Sequence, residues 1–265
     1  MLIDTHTHAF PDAIAQKAIA SLQKTAGIAA AFDGTVSGLR ALLARDGVGR
    51  AFLLNTATNA RQVENVNAFA LSLLGDKVIV PFCSFHPLAD SPYEKLKRLK
   101  DAGIKGIKLH PDYIGIALDD SAMAPLLSAI TELGMPLVIH AGFDPYSPGV
   151  IHASPDMILR VLARYPGITL IAAHLGGIRV WDEVYEKLCG RELYFDTAFC
   201  CERTGLTRGQ AKRIFDAHPR ERILFGSDAP WATPSEVLGF VKSVVTDGET
   251  LEMITHGNAE RLFGL

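Results

Sequence analysis

Seven short apolar runs recur along this chain, and they limit what it can fold into more than any other feature. Ala51–Asn55, Val78–Phe85, Ile104–His110, Pro136–Ala141, Thr169–His174, Leu193–Thr197 and Arg222–Ser227 are mostly continuous apolar stretches. That pattern suits parallel strands buried on both faces. The opening stretch Leu2-Ile3-Asp4-Thr5-His6-Thr7-His8 makes an eighth. Helical spacing fills the intervals, as in Met123, Leu126, Leu127, Ile130 and Leu133, and again in Met157, Ile158, Val161, Leu162 and Tyr165.

The punctuation agrees. Ser91-Pro92-Tyr93-Glu94 and Thr233-Pro234-Ser235-Glu236 each offer a hydroxyl cap, a proline at the first helical position and a glutamate, and Ser154-Pro155 repeats the cap. Gly103, Gly134 and Gly167 stand where left-handed helix ends are expected. Pro11 to Ala30 is Ala-rich and reads as a helical insertion after the first strand. Eight β-then-α units without a linker predict an α/β chain folded as one (β/α)₈ TIM barrel over residues 1–265. A doubly wound sheet is the alternative, but no G-x-G-x-x-G follows the first strand.

Composition narrows the function classes. A net charge of -3 and the lack of a dense basic run argue against a nucleic-acid partner. The histidines and aspartate of the first strand interrupt any signal-peptide core, and no apolar stretch reaches membrane-spanning length. Four cysteines without C-x-x-C spacing read as reduced thiols. The expectation is a soluble cytoplasmic enzyme with a small-molecule substrate, no membrane or nucleic-acid partner, and a homo-oligomer as the default assembly.

In such a barrel, chemistry sits at the C-terminal strand ends. His6 and His8 alternate onto one face of the first strand, with Asp4 beside them. Strand four ends in Lys108-Leu109-His110, strand five in His140, strand six in His174-Leu175-Gly176-Gly177 and strand eight in Gly226-Ser227-Asp228. Lys108 and His110 share a face by alternation. Phe143 and Trp231 follow strands five and eight as candidate apolar walls, and Arg179 is a candidate carboxylate clamp.

This set of residues resembles the amidohydrolase superfamily, in the amidohydrolase-related (amidohydrolase 2) branch. That branch also holds metal-dependent decarboxylases similar to aminocarboxymuconate semialdehyde decarboxylase. The resemblance runs from Asp4-Thr5-His6-Thr7-His8 to Gly257-Asn258-Ala259-Glu260-Arg261. It implies a metallo-dependent hydrolase barrel with His6, His8, His140 and Asp228 as ligands of a divalent cation, zinc being the first choice and one ion favoured. His174 and Asp228 would be the catalytic acid–base groups, and Lys108, His110 and Arg179 would bind substrate. Lys108 is open to three readings: a carboxylated bridge between two ions, an ammonium that binds substrate, or a lysine reaching solvent at the rim. The expected reaction is hydrolysis of a small carboxylate, amide or lactone by a metal-activated water. Non-oxidative decarboxylation of a small unsaturated or aromatic acid is the alternative, and a non-catalytic binding barrel a third. Short loops after most strands predict a small substrate and an open mouth.

Overall fold

The computed structural model describes residues 1–265. Its parallel strands are β1 (Leu2–Thr7), β2 (Val48–Leu53), β3 in two pieces (Ile79–Pro81 and Cys83–Ser84), β4 (Ile107–Leu109), β5 (Leu137–Ile139), β6 (Leu170–Ala172), β7 (Tyr194–Asp196) and β8 (Ile223–Leu224). Each pairs in parallel with the next, in sequence order. The circle closes between β1 and the end of β8. Thr5 N donates to Phe225 O at 2.8 Å, Asp228 N to His6 O at 2.8 Å and His8 N to Ala229 O at 2.7 Å. This is the TIM barrel that the alternation predicts.

Most observed strands are shorter than their apolar runs. The run Ile104–His110 holds a ladder only at Ile107–Leu109, with three residues outside it at the foot of the strand and His110 at the mouth. Gly103, Gly134 and Gly167 take φ of 109°, 59° and 91°, the left-handed geometry expected of helix ends. Two of the three caps form: Thr233 Oγ1 accepts from Glu236 N at 3.2 Å and Ser154 Oγ from Met157 N at 3.4 Å. Ser91 does not cap. Its φ of 51° is left-handed, and a capping hydroxyl reaches the first turn from extended backbone.

The insertion after β1 forms helix α1 (Asp12–Ala26) and ends at Gly27. The chain beyond it crosses the mouth, tied by Ala30 N to Gln23 Oε1 at 2.6 Å and by Ala31 N to Pro230 O at 2.8 Å. Between strands and surrounding helices lies the larger apolar core. A second, smaller cluster joins Ile3, Phe52, Phe82, Val138, Ile171 and Leu224 to Ala259 and Phe263 of the C-terminal helix Asn258–Phe263. Residues from six strands meet in one cluster only inside the barrel, so this is its apolar floor. No helix is long and apolar enough to cross a membrane.

Candidate metal centre

Above that floor the interior turns polar. The β1 register slips between Asp4 and Thr7, a bulge-type irregularity of the kind found beside functional sites. His6 Nδ1–H donates to Asp196 Oδ2 at 2.7 Å, and His8 Nδ1–H donates to the Leu54 carbonyl at 2.7 Å. Those bonds fix both tautomers and leave each Nε2 as an acceptor, that of His6 also facing Lys108 Nζ at 3.1 Å. Both lone pairs face Asp228 Oδ1, at 3.5 Å from His6 and 3.1 Å from His8. Lone pairs converging on a carboxylate repel one another unless a cation lies among them. Ligands on bonds of 2.0–2.2 Å about a tetrahedral ion stand about 3.4 Å apart. The donor set therefore fits a divalent cation, and His6, His8 and Asp228 are the group whose ligand atoms all lie within 4.8 Å of one another.

His140 stands beside this group rather than inside it. Its Nδ1 lies 2.9 Å from His174 Nε2, while His174 Nδ1–H donates to the Ala198 carbonyl at 2.9 Å. His140 Nε2 faces the Phe143 carbonyl at 3.3 Å. Burial drives the His140 ring towards its neutral form, and with both outer nitrogens on carbonyl oxygens the two inner nitrogens of neutral rings meet lone pair to lone pair. A cation on His140 Nδ1 would relieve that contact.

The charges follow from burial and neighbours. Burial, then the Lys108 ammonium, presses His6 down to about 4, so its ring is neutral at pH 7. Burial alone would raise Asp228, yet the imidazoles of His8, His6 and His174 around it hold it well below the usual carboxylate range. Asp196, raised by burial but pulled back by His6, ends near about 2. Asp4 instead rises to about 7, chiefly by burial. Its Oδ1 accepts from His6 N at 3.1 Å and Ser227 N at 2.9 Å, so it ties β1 to β8.

Lys108 corrects one of its readings. It is 1% exposed and its Nζ lies 3.1 Å from His6 Nε2, so it does not reach solvent at the rim. Its position on β4 points it into the barrel, where burial lowers its pKa to about 8 against the pull of Asp196, Asp228 and Asp144. His110 also faces inward. It stacks between Tyr113 and His140, with ring centroids at 3.7 and 4.1 Å and planes within 3° and 9°. His110, His140 and Asp144 form a second group of clustered ligand atoms. Imidazole lone pairs lie in the ring plane, however, so those of stacked rings run side by side and do not converge on one ion.

All the predicted site residues (His6, His8, Lys108, His110, His140, His174, Arg179 and Asp228) line one cavity of about 600 Å³. Phe143 and Trp231 line it too, as expected, joined by Phe10, Tyr113 and Phe199. The α1 arm supplies Leu22, Thr25 and residues 26–29, so the mouth is partly roofed, contrary to the expectation from loop lengths. His86 accepts from Leu88 N in a turn, His152 bonds Asp112, and His218 stacks on Phe195; none lines the cavity. Cys200 is a buried thiol whose pKa burial pushes well up.

Asp196 is the residue that sequence reasoning missed. Besides holding His6, its Oδ1 accepts from His174 N and Ala198 N at 3.0 Å. The signal was an acid in the apolar run Leu193–Thr197. Backbone strain concentrates here as well. Of six non-glycine residues with left-handed φ, five (His174, Leu175, Arg179, Phe199 and Asp228) lie at these strand ends. Such conformations cost about 1–2 kcal/mol each and cluster at functional sites.

A family model described as amidohydrolase matches residues 3–265. Among solved structures, the chain is similar to 5-carboxyvanillate decarboxylase from Sphingomonas paucimobilis, at 16% identity and TM-score 0.73, covering 100% of this chain and 99% of that one. It is also similar to a dihydroxybenzoic acid decarboxylase from Polaromonas, solved with manganese and 2-nitroresorcinol, at 14% identity and TM-score 0.73, covering 100% and 97%. A third is a probable 2-pyrone-4,6-dicarboxylic acid hydrolase from Acinetobacter baumannii with citric acid bound, at 18% identity and TM-score 0.72, covering 100% and 99%. At these identities the likeness is one of fold. No curated protein matches the chain.

Proposed function

The chain belongs to the amidohydrolase family, and on that premise we propose that it is a metal-dependent carboxy-lyase releasing carbon dioxide from a small unsaturated or aromatic acid. The observation that carries this reading is the aromatic wall of Phe10, Tyr113, Phe143, Phe199 and Trp231 facing the imidazole–carboxylate centre. Flat apolar faces suit a conjugated acid, and they withdraw water from a carboxylate that is to leave as a neutral gas. Two solved relatives of the same fold are named decarboxylases, which supports this choice over hydrolysis.

Within this proposal His6, His8 and Asp228 would hold one divalent ion, with His140 as fourth ligand. When bound, that ion, zinc by the nitrogen-rich donor set, would supply Lewis acidity toward substrate oxygen. Lys108, buried next to His6, pairs with the negative charge that develops on a conjugated oxygen as the C–C bond breaks. The electron pair stays with the ring or alkene carbon. His174, aligned by its bond to Ala198 O and by Asp196, delivers a proton to that carbon. The stacked His110 lies beside the substrate and holds His140 in plane.

Hydrolysis of a lactone or amide is the second reading, since the same groups serve it and a named hydrolase shares the fold. The test is to screen metal-loaded protein for carbon dioxide release from conjugated and aromatic acids, with lactones and amides assayed alongside. The expected result is carbon dioxide release that His174→Asn lowers by about 10²–10⁴-fold while bound metal is retained. Turnover of lactones or amides with no carbon dioxide from any acid overturns the proposal.

A further inference from the structure

Of the cationic side chains that line the cavity, one has no polar partner within the protein. Lys108 is held at His6 Nε2, 3.1 Å away, in the field of Asp196, Asp228 and Asp144. Arg203 is bound by both oxygens of Glu236 at 2.8 Å and also donates to Trp231 O. Arg179 makes no ion pair and no hydrogen bond within the protein. Its guanidinium rests on the face of Phe143, 4.3 Å from the ring centroid.

That placement is built by the backbone. Beyond the last β5–β6 pair, Ile139 with Ala172, the two chains re-pair at Gly142 and Ile178. There Ile178 N donates to Ala141 O at 3.0 Å and Phe143 N to Ile178 O at 2.9 Å. Arg179 follows directly in a left-handed conformation, φ 62°, which a residue with a Cβ adopts only where its surroundings enforce it. The result holds Phe143, three residues past His140, and Arg179, five past His174, together one level above the centre. A guanidinium stacked on a ring keeps its in-plane N–H fork free, and that fork matches a carboxylate with two parallel bonds.

We propose that Arg179, braced on Phe143, recognises a second acidic group of the substrate, so that the substrate is a flat diacid. One acid group lies at the His6–His8–Asp228 centre and the other at the rim. This rests on the decarboxylase reading for what happens at the centre, but recognition needs no turnover.

The test measures binding to metal-loaded protein by calorimetry, using isophthalate against 3-methylbenzoate and terephthalate against 4-methylbenzoate. Each pair matches shape and differs by one carboxylate. The better diacid should bind at least about ten-fold more tightly than its methyl counterpart, the advantage of one charge-assisted pair. In Arg179→Gln that ratio should fall to within about two-fold, with Arg179→Lys between the two because it keeps the charge and loses the fork. Equal affinity of diacid and monoacid in the unaltered protein, or a preference that survives Arg179→Gln, overturns the proposal. The unaltered protein alone can return the first of these, whatever the folding of the variants. Absence of carbon dioxide release with the ratio intact would count against the decarboxylase reading only.

Discussion

The barrel interior has two storeys, and they obey opposite rules. Below, Phe52, Phe82 and Phe263 pack with centroids 5.1, 4.7 and 5.6 Å apart among Val138, Ile171 and Leu224. Above, on the same strands, His140 follows Val138 by two residues, His174 follows Ile171 by three and Asp228 follows Leu224 by four. The lower storey is apolar, with no left-handed residue among its members; the upper holds buried charges and five left-handed residues. Burying charge costs several kcal/mol per ion before pairing, so the mouth subtracts from stability what the floor contributes. One fold thereby separates the residues that hold it closed from those that do chemistry.

The largest expected effect breaks the upper storey alone. Asp228→Asn removes the only carboxylate facing Nε2 of both His6 and His8. Bound metal, read by elemental analysis, should fall well below one equivalent, and turnover should drop by about 10³-fold, equal to several kcal/mol of lost charge stabilisation. Circular dichroism should show the fold intact. Full metal occupancy in this variant would place the ion elsewhere.

The complementary change is Phe52→Ala on the floor. Loss of a buried aromatic that contacts two others should lower the unfolding free energy by about 3–5 kcal/mol, measured in urea. Turnover per folded molecule should change by less than about two-fold. A large fall in turnover with unaltered stability would show that the storeys are not separable.

Asp196→Asn probes the joint between them. Its Oδ2 fixes the His6 tautomer and its Oδ1 holds His174 N. Losing that charge should weaken metal binding by about 10–100-fold in chelator competition, the usual cost of an outer-shell partner. Unchanged affinity would mean that His6 needs no help to present Nε2.

The smallest effect lies outside the site, at the lower end of the strands. His218 stacks on Phe195 and donates from Nε2 to Leu193 O at 3.1 Å, and burial lowers its pKa from 6.5 to about 4. Between those values the unfolded chain binds a proton that the folded chain refuses. Stability from this group is therefore complete above about pH 6.5 and lost as pH falls toward 4, by about 2 kcal/mol at pH 4.5. Urea unfolding at pH 7 and pH 4.5 should show that loss, and His218→Phe should reduce it. An equal pH slope in both proteins would assign the effect to other groups.

The sequence by itself determined the barrel and most of the centre. Burial on both faces makes strands continuous apolar runs, and strand-end histidines stand out against them, so His6, His8, His140, His174 and Asp228 were legible as residues of one mouth. Local rules failed where a distant contact decided the outcome. Ser91 has a cap's sequence but a left-handed backbone, and the reach of the α1 arm across the mouth depends on Ala31 meeting Pro230. Only the tertiary structure decided which nitrogen of each imidazole is free. That choice rests on partners 190 residues away for His6 and 46 for His8, and no periodicity encodes such separations. The same holds for Lys108, whose burial depends on a strand 102 residues earlier, and for Arg179, whose lack of a partner is a property of the whole rim. Spacing along a chain specifies faces and ends; which proton, charge or lone pair meets another is set by closure of the barrel.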